Sequence, residues 1–182
     1  MAKNTSGGKY VRDWETFGET DPYFGVLSHE QYRKDNLTAD ALREFFVSGE
    51  EHVQEVMQAI RTHCAPQFRP QRTLDFGCGV GRLLIPFARV SGQAVGVDIS
   101  PGMLATARKN CDDASVQNVT LVQGIDRVEG EFDLIHSYIV LQHIPQKLGM
   151  SILDSLFERL RDDGILAVHL TFFNQVSRPH GW

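Results

Sequence analysis

The chain has 182 residues, of which 42% are hydrophobic and 23% charged, and its formal net charge is −5. This length and composition indicate one globular domain, or one domain with an appendage, that buries its own core. No basic block indicates a nucleic-acid or anionic-membrane surface, and no apolar run reaches the roughly 20 residues of a membrane span. The three cysteines, Cys64, Cys78 and Cys111, are widely spaced. Without an apolar N-terminal stretch, they predict a cytoplasmic protein with reduced thiols.

Aromatic side chains mark the segment that follows a short polar N-terminus. Residues 10–32 have weak periodicity and include Trp14, Tyr23 and Phe24. These aromatics form either a hydrophobic flap over the core or a lid that closes on a ligand. The charged residues between them favour the lid, because such a segment packs poorly as core. We define residues 1–37 as the tail and lid.

Two helices are predicted next. Apolar positions predict a helix over Leu37–Val47. The run Ser48-Gly49-Glu50-Glu51 is typical of a capping box and predicts the start of a second helix, which ends near Pro66. We define residues 38–66 as a helical appendage.

From residue 71 onward, strand and helix patterns alternate. The predicted strands are Thr73–Phe76, Ala94–Asp98, Val119–Gln123, Asp133–Tyr138 and Gly164–Thr171. The predicted helices are Gly81–Val90, Pro101–Cys111 and Gln146–Leu160. Alternation of this kind predicts an α/β domain over residues 71–182, with a doubly wound, mostly parallel sheet and helices on both faces.

A glycine-rich turn is the most informative feature of this domain. The segment Leu74–Arg82 reads LDFGCGVGR, and the following strand ends on Asp98. Glycines let a backbone approach a ligand closely, a helix start supplies unpaired N–H groups, and a carboxylate accepts ribose hydroxyls. The pattern therefore predicts a nucleoside site. A nicotinamide dinucleotide site expects a third glycine where Arg82 stands, so a dehydrogenase is disfavoured.

Three segments together resemble the class I S-adenosylmethionine-dependent methyltransferases. Leu74–Arg82 resembles the first motif of that family, Val95–Leu104 its second strand and following helix, and Phe132–Ser137 its fourth strand. The resemblance implies a Rossmann-like fold with strand order 3-2-1-4-5 and S-adenosyl-L-methionine as cofactor.

The same resemblance bears on the end of the chain. The family usually adds two strands after the fifth, and residues 172–182 are too few to form them, so we expect a fold that lacks the last two strands. The fifth strand, Gly164–Thr171, would then be an apolar edge that invites pairing. We expect the following residues or a second subunit to cover it, and we favour a homo-oligomer.

By resemblance, the cofactor-binding residues are Asp75, Gly77, Cys78, Gly79, Asp98, Ile99, Met103, Ile125, Asp126 and Ser137. The glycine turn would pass under the methionine and ribose, with Asp75 facing the ammonium group. Asp98 would hold the ribose hydroxyls, and Asp126 the exocyclic amine of adenine.

Each assignment has a plainer alternative. Asp98 alternatively caps a turn, Asp126 is only a turn residue, and Ile99 and Met103 fill the core. Cys78 is a small buried residue rather than a nucleophile, because no histidine is adjacent in sequence to activate it.

Two residues after the fourth strand are candidates for catalysis. Tyr138 would lie beside the transferred methyl group. His143 resembles a histidine that many small-molecule methyltransferases place there, as a general base or as a structural residue at a helix entrance. No histidine spacing indicates a metal site. The sequence therefore predicts methyl transfer to a small-molecule acceptor, and the alternative is a non-catalytic module that binds S-adenosylmethionine.

Overall fold

A computed structural model of the protein describes residues 5–170. In chain order its helices and strands are α1 (Thr5–Thr20), α2 (Pro22–Val26), α3 (Ala39–His63), β1 (Arg72–Phe76), α4 (Leu84–Val90), β2 (Gln93–Asp98), α5 (Pro101–Asp113), β3 (Val119–Gln123), β4 (Phe132–Ser137), α6 (Gln146–Phe157) and β5 (Leu160–Val168). The strands pair in parallel in the order β3-β2-β1-β4-β5, which confirms the expected topology. Each helix in this part of the chain is too short or too polar to cross a lipid bilayer.

Alternate side chains of the sheet pack against helices on its two faces. Ile135 of β4 belongs to a buried cluster with Leu156 of α6, whereas its neighbour Leu134 packs with Val53 of α3 and Phe87 of α4. This alternation follows from the two-residue period of a strand. The strand order, in turn, sets the carboxyl ends of β1 and β4 side by side. The order of the strands reverses at this point, and open parallel sheets bind ligands there.

The predicted break between two N-terminal helices is wrong. The helix α3 is continuous over the 25 residues from Ala39 to His63, and its N-cap Thr38 accepts a hydrogen bond at Oγ1 from Ala41 N at 3.1 Å. The Ser48 hydroxyl instead donates to the carbonyl of Phe45 at 2.7 Å. Gly49 is buried, and a Cβ there would collide with the Arg82 carbonyl. The glycine therefore allows close packing inside a helix and does not mark an end.

Two helices occupy much of the segment that was expected to be tail and lid. The helix α1 covers the predicted tail from Thr5 onward, and the rest of that tail lies outside the described residues. The helix crosses the start of α5 at a pair of glycines: a Cβ on Gly102 would lie 2.8 Å from the carbonyl carbon of Gly18. This close approach holds α1 and α2 over the carboxyl ends of the strands.

The edge strand β5 begins four residues earlier than predicted. It runs from Leu160 to Val168, and its register shifts opposite Phe132 and Leu134. The charged run Arg161-Asp162-Asp163 concealed its start, because these side chains are exposed at the sheet edge. Among the described residues β5 pairs with β4 only. The segment that was expected to cover this edge, Phe172–Trp182, lies outside the described residues.

Candidate functional site

A cavity of about 250 Å³, the main cavity, opens at the carboxyl ends of the strands. Its walls are mostly apolar, and α1 and α2 contribute Trp14, Gly25 and Val26 to them. Residues predicted from the sequence to form the site also line it: Gly77, Gly79, Asp98, Ile99, Met103, Ile125, Asp126 and Tyr138. Apolar walls with a few polar groups are typical of small-molecule sites.

The glycine turn has a backbone conformation that few other residues adopt. Gly77 and Gly79 have φ angles of +76° and +52°. A Cβ on Gly77 would collide with Val140, and one on Gly79 would lie 2.6 Å from Cγ2 of Val26. The glycines are therefore required both by the φ angles and by the side chains that lie across the turn.

The Asp98 carboxylate is the polar group best placed to meet a ligand in this cavity. One oxygen accepts a hydrogen bond from Gly79 N and the other from Ser100 N, each at 2.9 Å. Burial raises the pKa of Asp98 above its ordinary value, and the backbone donors oppose that shift. A carboxylate has about four acceptor positions, so acceptor capacity remains for ligand hydroxyls. Asp98 thus caps the turn, as the alternative proposed, and this role is compatible with binding a ligand.

The residues proposed for the adenine end lie on the same side of the cavity. Ile99 follows β2 and is half-buried, whereas Met103 in the first turn of α5 is 1% exposed and packs with the N-terminal helices. Ile125 and Asp126 form a short 3₁₀ helix after β3, with Asp126 exposed at the rim. Met103 is therefore a core residue, as one alternative proposed, and it also reaches the cavity in which the other alternative expects adenine.

Two predicted residues line a smaller neighbouring recess, the side cavity, and not the main one. Its wall includes Asp75, Cys78 and Arg82, and it shares Gly77, Val26, Tyr138 and Ile139 with the main cavity. Burial raises the pKa of the Cys78 thiol well above its ordinary value, which argues against a nucleophilic role.

Ser137 does not reach either cavity. Its side chain is buried, and its hydroxyl donates to the carbonyl of Phe76 at 3.0 Å. This bond joins the ends of β4 and β1, the two strands between which the order of the sheet reverses. In this position Ser137 holds the floor of the site and does not face a ligand.

A buried chain of polar side chains leads away from Asp75. His136 Nδ1 lies 3.0 Å from Asp75 Oδ1, and its Nε2 lies 3.2 Å from Nε2 of His52 on α3. Since a carboxylate only accepts, Nδ1 of His136 is the donor. Burial, with His136 and Arg82 nearby, lowers the pKa of His52 to about 4, so His52 is neutral at pH 7. These hydrogen bonds from Asp75 through His136 to His52 fix the rotation of the Asp75 carboxylate.

Tyr138 and Ile139 stand where the two cavities meet. The Tyr138 ring packs against His52 with ring centroids 4.2 Å apart. Ile139 has a φ of +60°, a conformation that is strained for a β-branched residue. Such strain is often found at ligand sites, and here it directs the backbone from Tyr138 across the glycine turn to Val140.

The N-terminal aromatics divide into two groups. Trp14 lines the main cavity, and its ring contacts His143 with centroids 5.5 Å apart. Tyr23 donates to Oδ1 of Asn110 at 2.9 Å and packs on Phe45, so it anchors α2. Phe24 stacks under the guanidinium of Arg33. Of the three aromatics proposed for the lid, Trp14 covers the cavity, whereas Tyr23 and Phe24 pack elsewhere.

His143 lies in a short 3₁₀ helix between β4 and α6 and does not itself line the main cavity or the side cavity. It is partly exposed, and desolvation lowers its pKa from the ordinary value. Its neighbour Ile144 and its ring partner Trp14 both line the main cavity. Within residues 5–170, no group of three or more His, Cys, Asp or Glu side chains is arranged to hold a metal ion.

Comparison with known proteins agrees with this geometry. Residues 73–164 match the family model described as a methyltransferase domain. The chain belongs to this family. Since that match falls on the strands and turns described above, the resemblance to class I methyltransferases is confirmed for family and fold, and the family is one of enzymes.

Curated relatives of this methyltransferase domain are longer proteins. An uncharacterized methyltransferase from Synechocystis is 32% identical over 116 residues, which cover 62% of this chain and 50% of that protein. A ubiquinone biosynthesis O-methyltransferase from Nitrobacter winogradskyi is 34% identical over 99 residues, covering 53% and 37%. The chain thus spans half or less of the length of these relatives.

A solved structure shares the fold over nearly the whole chain. Phosphoethanolamine N-methyltransferase 1 from Haemonchus contortus, solved with phosphoethanolamine and S-adenosylhomocysteine, superposes with a TM-score of 0.70 at 13% identity. It covers 92% of this chain and 33% of that one. The likeness extends beyond the matched methyltransferase domain into the N-terminal helices.

Sequence reasoning missed three residues of this region. His52 and His136 contact each other across 84 positions of sequence, and for Arg82 the sequence left a surface contact and a ligand contact as alternatives. The histidines carry no local motif. Arg82, however, is visible in the sequence, because a charged residue directly after a glycine turn is unusual. A small residue at that position would pack more easily.

Proposed function

We propose that this chain is an S-adenosylmethionine-dependent methyltransferase that acts on a small-molecule acceptor. The observation that carries the proposal is the pair of positive-φ glycines beneath a cavity whose wall holds the Asp98 carboxylate. The residues of the cavity fit S-adenosylmethionine. The glycines of the turn have no side chains and let the cofactor approach the backbone, the Asp98 carboxylate can accept hydrogen bonds from ribose hydroxyls, and Ile99 and Met103 form an apolar wall for adenine. The family assignment supports the same reading.

Methyl transfer requires alignment of the two reactants more than it requires reactive protein side chains. When bound, S-adenosylmethionine supplies a methyl group on a positively charged sulfur, which an acceptor atom displaces in line. The residues of this chain then contribute by holding the reactants and by excluding water. Trp14 and Val26 cover the cavity, and the strained turn at Ile139 fixes Tyr138 and Val140 across the glycines.

His143 is proposed as the base for an acceptor that must lose a proton. Its lowered pKa favours the neutral imidazole at pH 7, which is the form that accepts a proton. Its ring contacts Trp14, which lines the main cavity, and this contact supports a role beside the acceptor. Tyr138, at the junction of the two cavities, is proposed to orient the acceptor.

An apolar acceptor is favoured by the walls of the main cavity. Beyond the glycine turn these walls include Ile144, Leu148, Ile152 and Trp14. The relative from Nitrobacter winogradskyi is named for ubiquinone biosynthesis, which agrees with an apolar acceptor. We propose a small organic molecule with an apolar body and one nucleophilic oxygen or nitrogen.

Transfer of a labelled methyl group tests the activity. The full chain is incubated with S-adenosylmethionine carrying a labelled methyl group and with fractions of a metabolite extract. Label in a small molecule supports the proposal. Binding of the cofactor without transfer to any fraction, protein or nucleic acid would instead favour a non-catalytic binding module.

Cofactor binding is expected to raise the melting temperature. At a hundredfold excess over its dissociation constant, S-adenosylhomocysteine stabilises the folded protein by about 2.7 kcal/mol. Thermal unfolding should show this shift with S-adenosylhomocysteine and no shift with NAD, because Arg82 occupies the position of the third dinucleotide glycine. A shift with NAD alone would contradict the cofactor assignment.

Association through β5 is also expected. Within residues 5–170 no strand pairs with β5 on the side away from β4, and Ile165, Leu166 and Val168 are only partly buried. Such an edge favours pairing with a second copy of the chain. Light scattering over a range of concentrations should therefore give a mass above that of the monomer. Replacing Leu166 with Lys should lower that mass, and a strict monomer at high concentration would contradict the prediction.

A further inference from the structure

Asn110 is a buried amide at a helix position that an apolar residue would fill more easily. It lies in α5, is 6% exposed, and shares the buried side of that helix with Ala107 and Cys111. Asparagine is one of the weaker helix formers, and a buried amide destabilises a fold unless its hydrogen bonds are made. A polar residue that departs from the local pattern in this way is expected where it serves a site.

The Asn110 amide joins two segments that are distant in sequence. Its Nδ2 donates to the carbonyl of Val80 at 2.9 Å, and its Oδ1 accepts a hydrogen bond from the Tyr23 hydroxyl at 2.9 Å. Since a carbonyl only accepts, Nδ2 must face Val80, and the hydroxyl must be the donor to Oδ1. Burial raises the pKa of Tyr23, so the hydroxyl keeps this proton at neutral pH.

Val80 lies inside the glycine turn. The residues on either side of it, Gly79 and Gly81, have φ angles of +52° and +89°. Glycine loses more conformational freedom on ordering than any other residue, so this turn needs outside contacts to keep one conformation. The hydrogen bond from Asn110 is such a contact. Because Gly79 N also donates to the Asp98 carboxylate, the conformation of the turn affects the polar group that faces the main cavity.

Tyr23 connects the same amide to α2. Its ring packs edge-on against Phe45 of α3, with ring centroids 5.3 Å apart. Val26 of α2 lines the main cavity, and a Cβ on Gly79 would lie 2.6 Å from its Cγ2. The helix α2 therefore meets the glycine turn twice, directly through Val26 and indirectly through Tyr23 and Asn110.

We propose that Tyr23 and Asn110 are positioning residues for the cofactor, which couple the docking of α2 to the conformation of the glycine turn. The proposal rests on the proposed function. Coupling of this kind is reciprocal. Bound cofactor orders the turn and thereby holds α2 in place, and a docked α2 keeps the turn in the conformation that binds the cofactor. The helix α2 thus contributes to cofactor affinity, although it lies outside the matched residues 73–164.

Tyr23→Phe tests this coupling, because it removes one hydroxyl and keeps the ring. Tyr32→Phe is the matched control. The Tyr32 ring is also buried and packs on Phe45 with centroids 5.1 Å apart, whereas no hydrogen bond joins its hydroxyl to another residue within the described range 5–170. Calorimetry on the full chain measures the affinity for S-adenosylhomocysteine, and thermal unfolding without ligand checks that each variant folds.

The hydroxyl of Tyr23 should affect both the ligand and α2. Because its hydrogen bond stabilises the conformation that binds the cofactor, Tyr23→Phe should bind S-adenosylhomocysteine about fivefold more weakly, the effect of one net hydrogen bond, and Tyr32→Phe should bind it normally. Hydrogen exchange gives a readout that a merely structural role would not change. In the unmodified chain the ligand should slow exchange at Gly25 N and Leu27 N, which donate to the carbonyls of Asp21 and Tyr23. Tyr23→Phe should lose most of this slowing.

A double variant checks that Tyr23 acts through Asn110. If it does, adding Tyr23→Phe to Asn110→Ala weakens the ligand no further than Asn110→Ala alone. Where Asn110→Ala does not fold, Tyr23→Phe and its control still decide.

Several results would overturn the proposal and leave the proposed function intact. These are unchanged affinity or unchanged ligand-induced slowing in Tyr23→Phe, equal losses in Tyr23→Phe and Tyr32→Phe, or fully additive losses in the double variant. An unmodified chain that does not bind S-adenosylhomocysteine would overturn the proposed function itself, so the two failures are distinguishable.

Discussion

Replacing Asp98 with Ala is expected to lower the affinity for S-adenosylhomocysteine at least about tenfold, because the change removes charge-assisted hydrogen bonds to the ribose hydroxyls, each worth about 1.5–3 kcal/mol in favourable cases. The carboxylate is held for this role by Gly79 N and Ser100 N. Isothermal calorimetry measures the change. Burial raises the pKa of Asp98, so this carboxylate becomes protonated earlier than an ordinary one as the pH is lowered. The affinity of the unmodified protein for S-adenosylhomocysteine should therefore begin to fall at a higher pH than an ordinary carboxylate would give.

A loss of affinity has a second explanation, which the ligand itself can exclude. Without its carboxylate, the variant leaves Gly79 N and Ser100 N without their acceptor, and the glycine turn can shift. The 2′,3′-dideoxy analogue of S-adenosylhomocysteine separates the two causes. The unmodified protein should prefer the normal ligand, whereas Asp98→Ala should bind both ligands alike. A variant that still prefers the normal ligand would remove the ribose assignment.

The sheet and the glycine turn were predictable because their signals are local. Apolar strands separated by amphipathic helices predicted the parallel topology, and three motifs in order implied the strand order that the structure has. Some residues around the main cavity follow from the same logic, because Gly77, Ile99, Ile125 and Tyr138 come within two residues of a strand end. Their position in the sequence therefore gives their position in the fold, whereas their individual roles remain predictions.

Long-range contacts account for most of what was missed. The break predicted at Ser48 followed a capping motif, but Gly49 serves the contact of α3 with Arg82, which lies 33 positions away in sequence. The helix α1 packs Trp14 and Phe17 against the core and lies against α5 where Gly18 meets Gly102, a pair that is far apart in sequence. The strain at Ile139 is equally invisible in sequence, since isoleucine disfavours positive φ and only the surrounding contacts impose it.

Removing the imidazole of His136 is expected to have the largest effect on stability. His136→Leu deletes the donor to Asp75 Oδ1 and leaves a carboxylate that is 2% exposed without that partner. A buried charged acceptor that loses its donor lowers the free energy of unfolding by about 3 kcal/mol. Urea denaturation at pH 7.5 without ligand measures this loss. At that pH His52, whose pKa is lowered to about 4, is neutral in the unmodified protein.

A rescue and a control distinguish this effect from the loss of a buried ring. Adding Asp75→Asn to His136→Leu removes the unpaired charge, so the double variant should be more stable than His136→Leu alone. His169→Leu is the matched control: the His169 ring contacts the Tyr138 ring, but its buried Nδ1 has no hydrogen-bond partner within residues 5–170. It should change the free energy of unfolding by less than about 1 kcal/mol. If the two leucine variants lose equal stability and Asp75→Asn rescues nothing, then ring packing stabilises this region and the hydrogen bond to Asp75 does not.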